Sequence, residues 1–331
     1  MLLRQFLFIA VLALFVAVAG AQKQPVETGS VKWYRSLDEA VKLSKQTQKP
    51  ILILFQEIPG CSTCRNYGQN VLTHPLIVEA IETFFVPLCI HNNKGGADKK
   101  ALKYFREPSW NNPVVRIVSD DLKDLIPRIA GQYSKAALVH GMVQALQKRP
   151  RQAVPLYLEL LDKELQARKS GLTTTYFAMY CFWAGEKEIG DMQGVYSTTA
   201  GYMDGKEVVK VEYNPLEVSY FALLQAANDV HCGDEVYSNR SSEIRIAKQT
   251  LGTRKAHPAS GFKPDKTPKY YLNKTPYRYV RMTALQACRA NSRLAKGMHC
   301  ENLFSPGQLQ QYRIAKEGKR NRLKVTIGHY F

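Results

Sequence analysis

The sequence predicts two mixed domains in tandem, an α/β domain followed by an α+β domain. Between residues 31 and 148, short apolar runs alternate with helix-patterned segments, as buried strands wrapped by helices require. From Thr173 the pattern changes: Thr173–Tyr180 and Val208–Tyr213 read as strands around a helical stretch at 182–191. A third observation concerns chemistry. Cys61-Ser62-Thr63-Cys64 and Cys181-Phe182-Trp183 put two different thiol arrangements on one chain of 331 residues, which is long enough for two cores.

The elements follow in order. Arg4 precedes an apolar run from Phe6 to Val18, and Ala19-Gly20-Ala21 offers small residues for cleavage, so residues 1–21 read as an export signal. At about 13 residues the run is short for a membrane span. No other stretch is apolar enough to cross a membrane, so the mature chain is expected to be soluble and periplasmic or secreted. Residues 22–30 read as a linker. Ser36-Leu37-Asp38-Glu39 is a capping box that starts a helix to about Ser44. Ile51–Phe55 is a short apolar run suited to a buried strand, and Pro59-Gly60 turns the chain into Cys61. A helix follows, then another at Pro75–Thr83 and a second buried strand at Phe84–Ile90. The loop His91–Asp98 leads to a helix ending before Pro108. Pro113 precedes the strand-like Val114–Val118, and Lys135–Leu146 closes the first domain. Residues 149–171 are expected to be a helical linker, 172–285 the second domain, and 286–331 a basic extension, with a helix at Ala284–Ala295.

The net charge of +18 is uneven. Residues 261–331 hold fifteen Lys or Arg against Asp265, Glu301 and Glu317. No nucleic-acid motif accompanies that charge, so a solvated basic surface is expected, with weak binding to anionic surfaces by the C-terminus and no nucleic-acid partner. The odd count of seven cysteines, their irregular spacing and the size of the chain favour redox-active thiols over a disulfide framework.

Cys61 and Cys64 have the spacing of a reversible dithiol. At a strand-to-helix junction, the helix N–H groups and macrodipole favour a thiolate on the first cysteine, and the second lies one turn on. It then resolves a mixed disulfide. A C-x-x-C is also half of a zinc site, but no second C-x-x-C or closely spaced His pair exists, and no metal or other cofactor is expected. Cys89, in an apolar strand, reads as an inert buried thiol.

With its strand, dithiol and Pro113 in that order, residues 31–148 resemble a thioredoxin-like domain. The Pro-Gly-Cys-x-x-Cys form is similar to a branch in which selenocysteine can take the first position. The resemblance implies that Cys61 attacks and that Pro113 is a cis-proline facing the dithiol, shaping substrate binding. Gly60 replaces the family's usual Trp, and Ser62-Thr63 its Gly-Pro.

In the second half, Tyr180–Glu186, Gly194–Tyr202, Glu207–Pro215, Val218–Leu224 and Tyr271–Tyr279 resemble, in family order, peptide-methionine sulfoxide reductase A. The resemblance implies a ferredoxin-like core and a Cys181 thiolate that attacks the sulfoxide sulfur, leaving a sulfenic acid. Phe182 and Trp183 suit the S-methyl group. By the same resemblance, Tyr202 places a hydroxyl near the sulfoxide oxygen. The family's loop with its proton-donating glutamate is missing between Tyr202 and Glu207. Glu186, Asp204 and Asp234 are the candidates to replace it. The family's His-Asp-Pro-Thr is here His231-Cys232-Gly233-Asp234, and its cysteine after Gly-Tyr is Val280. Cys288, Cys232 and Cys300 are the candidate resolving cysteines, Cys288 foremost, against a structural Cys288–Cys300 disulfide.

The functional expectation is an exported thiol redox enzyme, a peptide-methionine (S)-S-oxide reductase at Cys181 fed by Cys61/Cys64. Its partners would be oxidised exported proteins and an extracytoplasmic thiol reductant. The first alternative is a thiol–disulfide oxidoreductase whose second domain only recognises clients. The second is a binding or scaffold protein with vestigial cysteines.

Overall fold

The computed structural model describes residues 24–110, 113–149 and 153–318. The expected export signal and residues 319–331 of the basic tail lie outside them. No helix among the described residues is long and apolar enough to cross a membrane.

The first domain runs α1 (Leu37–Thr47), β1 (Ile51–Gln56), α2 (Ser62–Asn70), α3 (Pro75–Phe84), β2 (Val86–His91), α4 (Gly96–Phe105), β3 (Val114–Val118), β4 (Ile129–Ala130) and α5 (Lys135–Gln147). Its sheet has the order β2-β1-β3-β4, with β1 and β2 parallel and the other pairs antiparallel. β1 is buried along its length because both of its faces are covered. Leu52 and Leu54 join the core built with α2, α3 and α5, whereas Ile51, Ile53 and Phe55 pack toward α1 and α4. Ser36 caps α1 by accepting the Glu39 N–H. Phe84, expected to begin a strand, is instead the last residue of α3. That helix buries Leu76, Ile77, Ala80 and Ile81 on one face and leaves the strand to start at Val86.

The stretch expected to be a linker contains α6 (Leu156–Ser170), which is a wall of both domains. Tyr157, Leu158, Leu161 and Leu165 belong to the first domain's core, while Leu160 and Ala167 pack with Tyr277, Leu285 and Phe304 of the second. Glu164 is fully buried on this helix, paired to Arg168 at 2.9 Å and accepting the Leu285 N–H at 3.0 Å.

The second domain contains β5 (Thr173–Ala178), α7 (Phe182–Ile189), β6 (Val195–Met203), β7 (Lys206–Tyr213), α8 (Tyr220–Asp229), β8 (Glu235–Ser238), α9 (Ser241–Leu251), β9 (Ala256–Pro258), β10 (Lys263–Pro264), α10 (Tyr270–Asn273), α11 (Ala284–Ala295) and α12 (Pro306–Lys316). Its six strands lie in the order β10-β6-β7-β5-β8-β9, antiparallel except for β8 and β9. The boundary expected at 285 falls inside a folded unit. Ala287, Cys288 and Ala290 of α11 are buried, and α12 stacks Tyr312 on Tyr277 at 4.1 Å. Ser305 and Gln308 form a capping box at the start of α12. Glu79 of α3 reaches across to accept the Ser305 hydroxyl at 2.6 Å and the Gly307 N–H at 2.7 Å. A carboxylate from one domain thereby caps a helix of the other.

Candidate active sites

Cys61 is the N-cap residue of α2, directly beyond the end of β1. The approach to it is held tightly. Asn93 accepts the Ile58 N–H at 3.2 Å and donates to the Pro59 carbonyl at 3.3 Å, bracketing the cis Ile58–Pro59 bond. Buried Glu27 accepts the Gly60 N–H at 2.9 Å, and buried Gln56 donates to the Cys64 carbonyl at 3.2 Å. A Cβ on Gly60 would lie 2.4 Å from the Glu57 carbonyl oxygen and 2.7 Å from Cys64 Cβ. The glycine that replaces the family's Trp is therefore required by this close approach.

Cys61 is exposed and Cys64 buried, with their Sγ atoms 3.6 Å apart. The Cys64 backbone N–H, aided by the Cys64 thiol and the Thr63 donors, holds the Cys61 thiol below its ordinary value. Burial, and then the neighbouring Cys61 sulfur, push Cys64 up to about 12. The pair is thus divided into an accessible nucleophile and a protonated partner. Glu57, Cys61 and Cys64 bring three donor atoms within 4.8 Å of one another, one short of the four that close a structural zinc site. Pro113 is buried one residue before β3, at the level of Gln56 in the β1–β3 register, so it lies at the dithiol end of the sheet. The Asn112–Pro113 bond expected to be cis lies outside the described residues. Cys89 is fully buried, which pushes its thiol up to about 12.

Cys181 is likewise an N-cap, at the start of α7 and half-buried. Phe182 is buried, 5.5 Å from Trp183 and edge-on to Tyr202 at 5.3 Å. Trp183 stacks on Tyr270 at 4.1 Å, and its indole N–H has no hydrogen-bond partner among the described residues. The three expected substrate-binding aromatics therefore form one cluster beside Cys181, which Tyr270 completes.

Sequence reasoning missed Glu207. Its carboxylate accepts the Phe182 N–H at 2.9 Å, one residue from Cys181, and its carbonyl accepts the Met179 N–H at 3.1 Å. Tyr202 is its register partner across β6 and β7, which are joined by a two-residue turn in place of the family's loop. The signal available was an acid directly ahead of the apolar pair Val208-Val209 in a strand-patterned block.

The three acids expected to deliver a proton are placed differently. Glu186 is fully buried and committed, 2.6 Å from Lys269 Nζ and accepting the Lys269 N–H at 2.7 Å. It braces the domain. Asp204 sits exposed in the β6–β7 turn, and Asp234 is exposed with its N–H bound to the Ala178 carbonyl.

All seven cysteines are free. Cys288, the foremost expected resolving thiol, is buried with its Sγ 3.3 Å from the Gly190 carbonyl, just past the far end of α7 from Cys181. At 1.5 Å per residue, that end lies about 13 Å along the helix axis from Cys181. Cys300 is buried in the separate cluster around Tyr277, so a Cys288–Cys300 disulfide does not match this packing. Cys232 is buried in the same core cluster as Phe182.

Residues 32–119 match the family model described as thioredoxin-like. On other parts, the chain is similar to peptide methionine sulfoxide reductases MsrA. The Salmonella arizonae protein is 37% identical over 79 residues, spanning 19% of this chain and 37% of that protein. The Serratia proteamaculans protein is 36% identical over 87 residues, spanning 21% and 41%. The Rhodospirillum centenum protein is 38% identical over 79 residues, spanning 19% and 36%. The chain thus spans well under half the length of these curated relatives. Among solved structures, a DsbH oxidoreductase shares 20% identity at a TM-score of 0.32, covering 39% of this chain and 92% of its own. The fold and sites define a two-domain chain built around thiols. It joins a thioredoxin-like domain to a segment similar to peptide methionine sulfoxide reductase.

Proposed function

We propose that this protein is an oxidoreductase acting on sulfur groups, reducing methionine sulfoxide of the S form at Cys181 with electrons from Cys61/Cys64. The observation that carries the reading is the cluster at Cys181: a half-buried thiol on a helix N-terminus, an aromatic wall of Phe182, Trp183 and Tyr202, and one carboxylate against the next residue. In the proposed step the Cys181 thiolate attacks the sulfoxide sulfur. The proton that Cys181 gives up passes by way of the Glu207 carboxylate to the sulfoxide oxygen, with the Tyr202 hydroxyl beside it. The hydroxyl so formed on the methionine sulfur then moves to the Cys181 sulfur as the sulfur–sulfur bond between them breaks, so methionine leaves as the thioether and Cys181 carries a sulfenic acid. Two further electrons return the thiol, leaving a Cys61–Cys64 disulfide that an outside thiol reductant reopens. The N-terminal apolar run supports a periplasmic or secreted site of action on oxidised exported proteins, and the basic C-terminal region supports weak contact with anionic surfaces.

The test is methionine release from a methionine sulfoxide peptide. Wild type should turn over, Cys181→Ser should release nothing, and Cys61→Ser should stop after stoichiometric release when the reductant acts only through the dithiol. A second reading, a thiol–disulfide oxidoreductase whose second domain only recognises clients, draws on the loss of the family's glutamate loop. A wild type that exchanges disulfides but never releases methionine supports it.

A further inference from the structure

We infer that the cavity beyond Tyr270 holds an acidic side chain of the client, so that the substrates are peptides with an aspartate or glutamate two residues from the oxidised methionine. The inference deepens the reading of Cys181 given above and rests on it.

The cavity, of about 610 Å³, lies between β6 and the segment 266–279. Lys266, Lys274 and Arg278 line it and are exposed. None of these three has a carboxylate partner among the described residues. Lys269 in the same wall is already neutralised by Glu186. No acid lines the cavity among the described residues. Asp265, just outside it, is occupied by the Thr267 N–H and hydroxyl, each at 3.1 Å. Three cations around one hollow repel one another, and a carboxylate that enters relieves the repulsion.

Tyr270 ties this cavity to Cys181. Its ring stacks on Trp183 at 4.1 Å, and Lys274 Nζ stands 4.0 Å from the centre of the same ring. The indole covers one face, so the ammonium lies over the other. Tyr270 is thus a partition one ring thick, with the aromatic wall for the S-methyl group on one side and the cations on the other. In an extended peptide, side chains two residues apart point the same way, about 6.6 Å along the chain. A methionine sulfoxide seated against Trp183 therefore sends the side chain two residues away past Tyr270 to Lys274.

The strand β10 carries positive charge on to the mouth of the site. Exposed Lys263 lies opposite Tyr202 of β6, and the Asp265 N–H donates to the Ala200 carbonyl at 2.9 Å. The chain thus runs back along β6 from Tyr202 until Lys266 reaches the cavity. A peptide bearing acids is drawn in along the same line.

The experiment titrates capped pentapeptides into the full-length Cys181→Ser chain, which binds without turning over, and reads affinity by calorimetry. The probe is glutamate-glycine-methionine sulfoxide-glycine-glutamate, compared with the same peptide carrying glutamine in place of both glutamates. At low salt the glutamate peptide should bind about tenfold tighter, as two or three exposed ion pairs of about two- to threefold each would give. At about 1 M salt the preference should vanish. It should also vanish when Lys266→Gln, Lys274→Gln and Arg278→Gln are combined. Lys248→Gln, an exposed position on α9 at the opposite edge of the sheet, should keep it. Equal binding of the two peptides, or a preference that survives the triple substitution, overturns the inference. So does an equal loss in Lys248→Gln and Lys274→Gln, because the preference would then belong to the net charge of +18. A wild type that releases methionine from both peptides with the same kcat/KM also overturns it and leaves the reading of Cys181 standing. A wild type that prefers the acidic peptide through these cations, yet never releases methionine, keeps the site and removes the reductase reading alone.

Discussion

Cys61 and Cys181 occupy the same place in their domains, each the N-cap of a short helix that follows a buried strand, yet their helix ends are used in opposite ways. At Cys61 the backbone N–H groups of Thr63 and Cys64 are turned on the sulfur, which is held below its ordinary pKa. At Cys181 the first helical N–H, that of Phe182, is already taken by Glu207. A helix N-terminus stabilises whatever anion it receives. One site therefore directs it at a thiolate and the other at an acid. The first arrangement suits repeated thiol exchange with partners at the surface. The second fixes a carboxylate one residue from the sulfur, where it can take up a proton and pass it on.

The sharpest way to break this comparison is Glu207→Gln. If the carboxylate delivers the proton, methionine release should fall by about 10²–10⁴-fold while Cys181 alkylation persists. Unchanged turnover would reduce Glu207 to a helix cap. The next test separates the sulfurs of the first site by pH. Alkylation of Cys61 should reach half its maximal rate below 9.0, and Cys64 should resist until pH nears about 12. For Cys64 the unfolded chain loses its proton first, so stability in denaturant titrations should decline as pH rises from about 9 toward about 12. Equal alkylation profiles would deny the division of labour. Gly60→Ala should lower stability by about 1–3 kcal/mol in chemical denaturation, because its Cβ meets backbone as well as Cys64. The smallest effect concerns a third helix end supplied with a carboxylate, that of α12. Glu79→Ala should cost about 0.5–2 kcal/mol, whereas Glu79→Gln should recover part of it as a neutral acceptor.

The parts of the molecule written in local pattern were readable from its sequence. The unbroken apolar run at Ile51, the Ser36 cap, the dithiol at a helix start and the helix from Ala284 to Ala295 each depend on neighbours a few residues away. The aromatic cluster was legible because its members sit in blocks quoted from one family. What escaped depends on register or on remote partners. Glu207 acts at Cys181 only because β7 lies beside β5, with Val208 opposite Ala178. Cys288 follows a family position in sequence, yet α11 carries it to the wrong end of α7. The two-residue strands β4 and β10 are too short to show a period. The helix α12 was missed despite a readable Ser305-Pro306-Gly307-Gln308 start, because the segment was read by its charge as a basic extension.

The shared wall α6 has a consequence for how the molecule comes apart. Cutting the chain on either side of it strips apolar surface from one half, Tyr157, Leu158, Leu161 and Leu165 from the first or Leu160 and Ala167 from the second. Neither half is then a finished domain. Scanning calorimetry should record one heat-absorption peak where two independent modules would give two, with neither half melting ahead of the other. A single peak would mean that the fold holds the Cys61 and Cys181 sites in one cooperative unit.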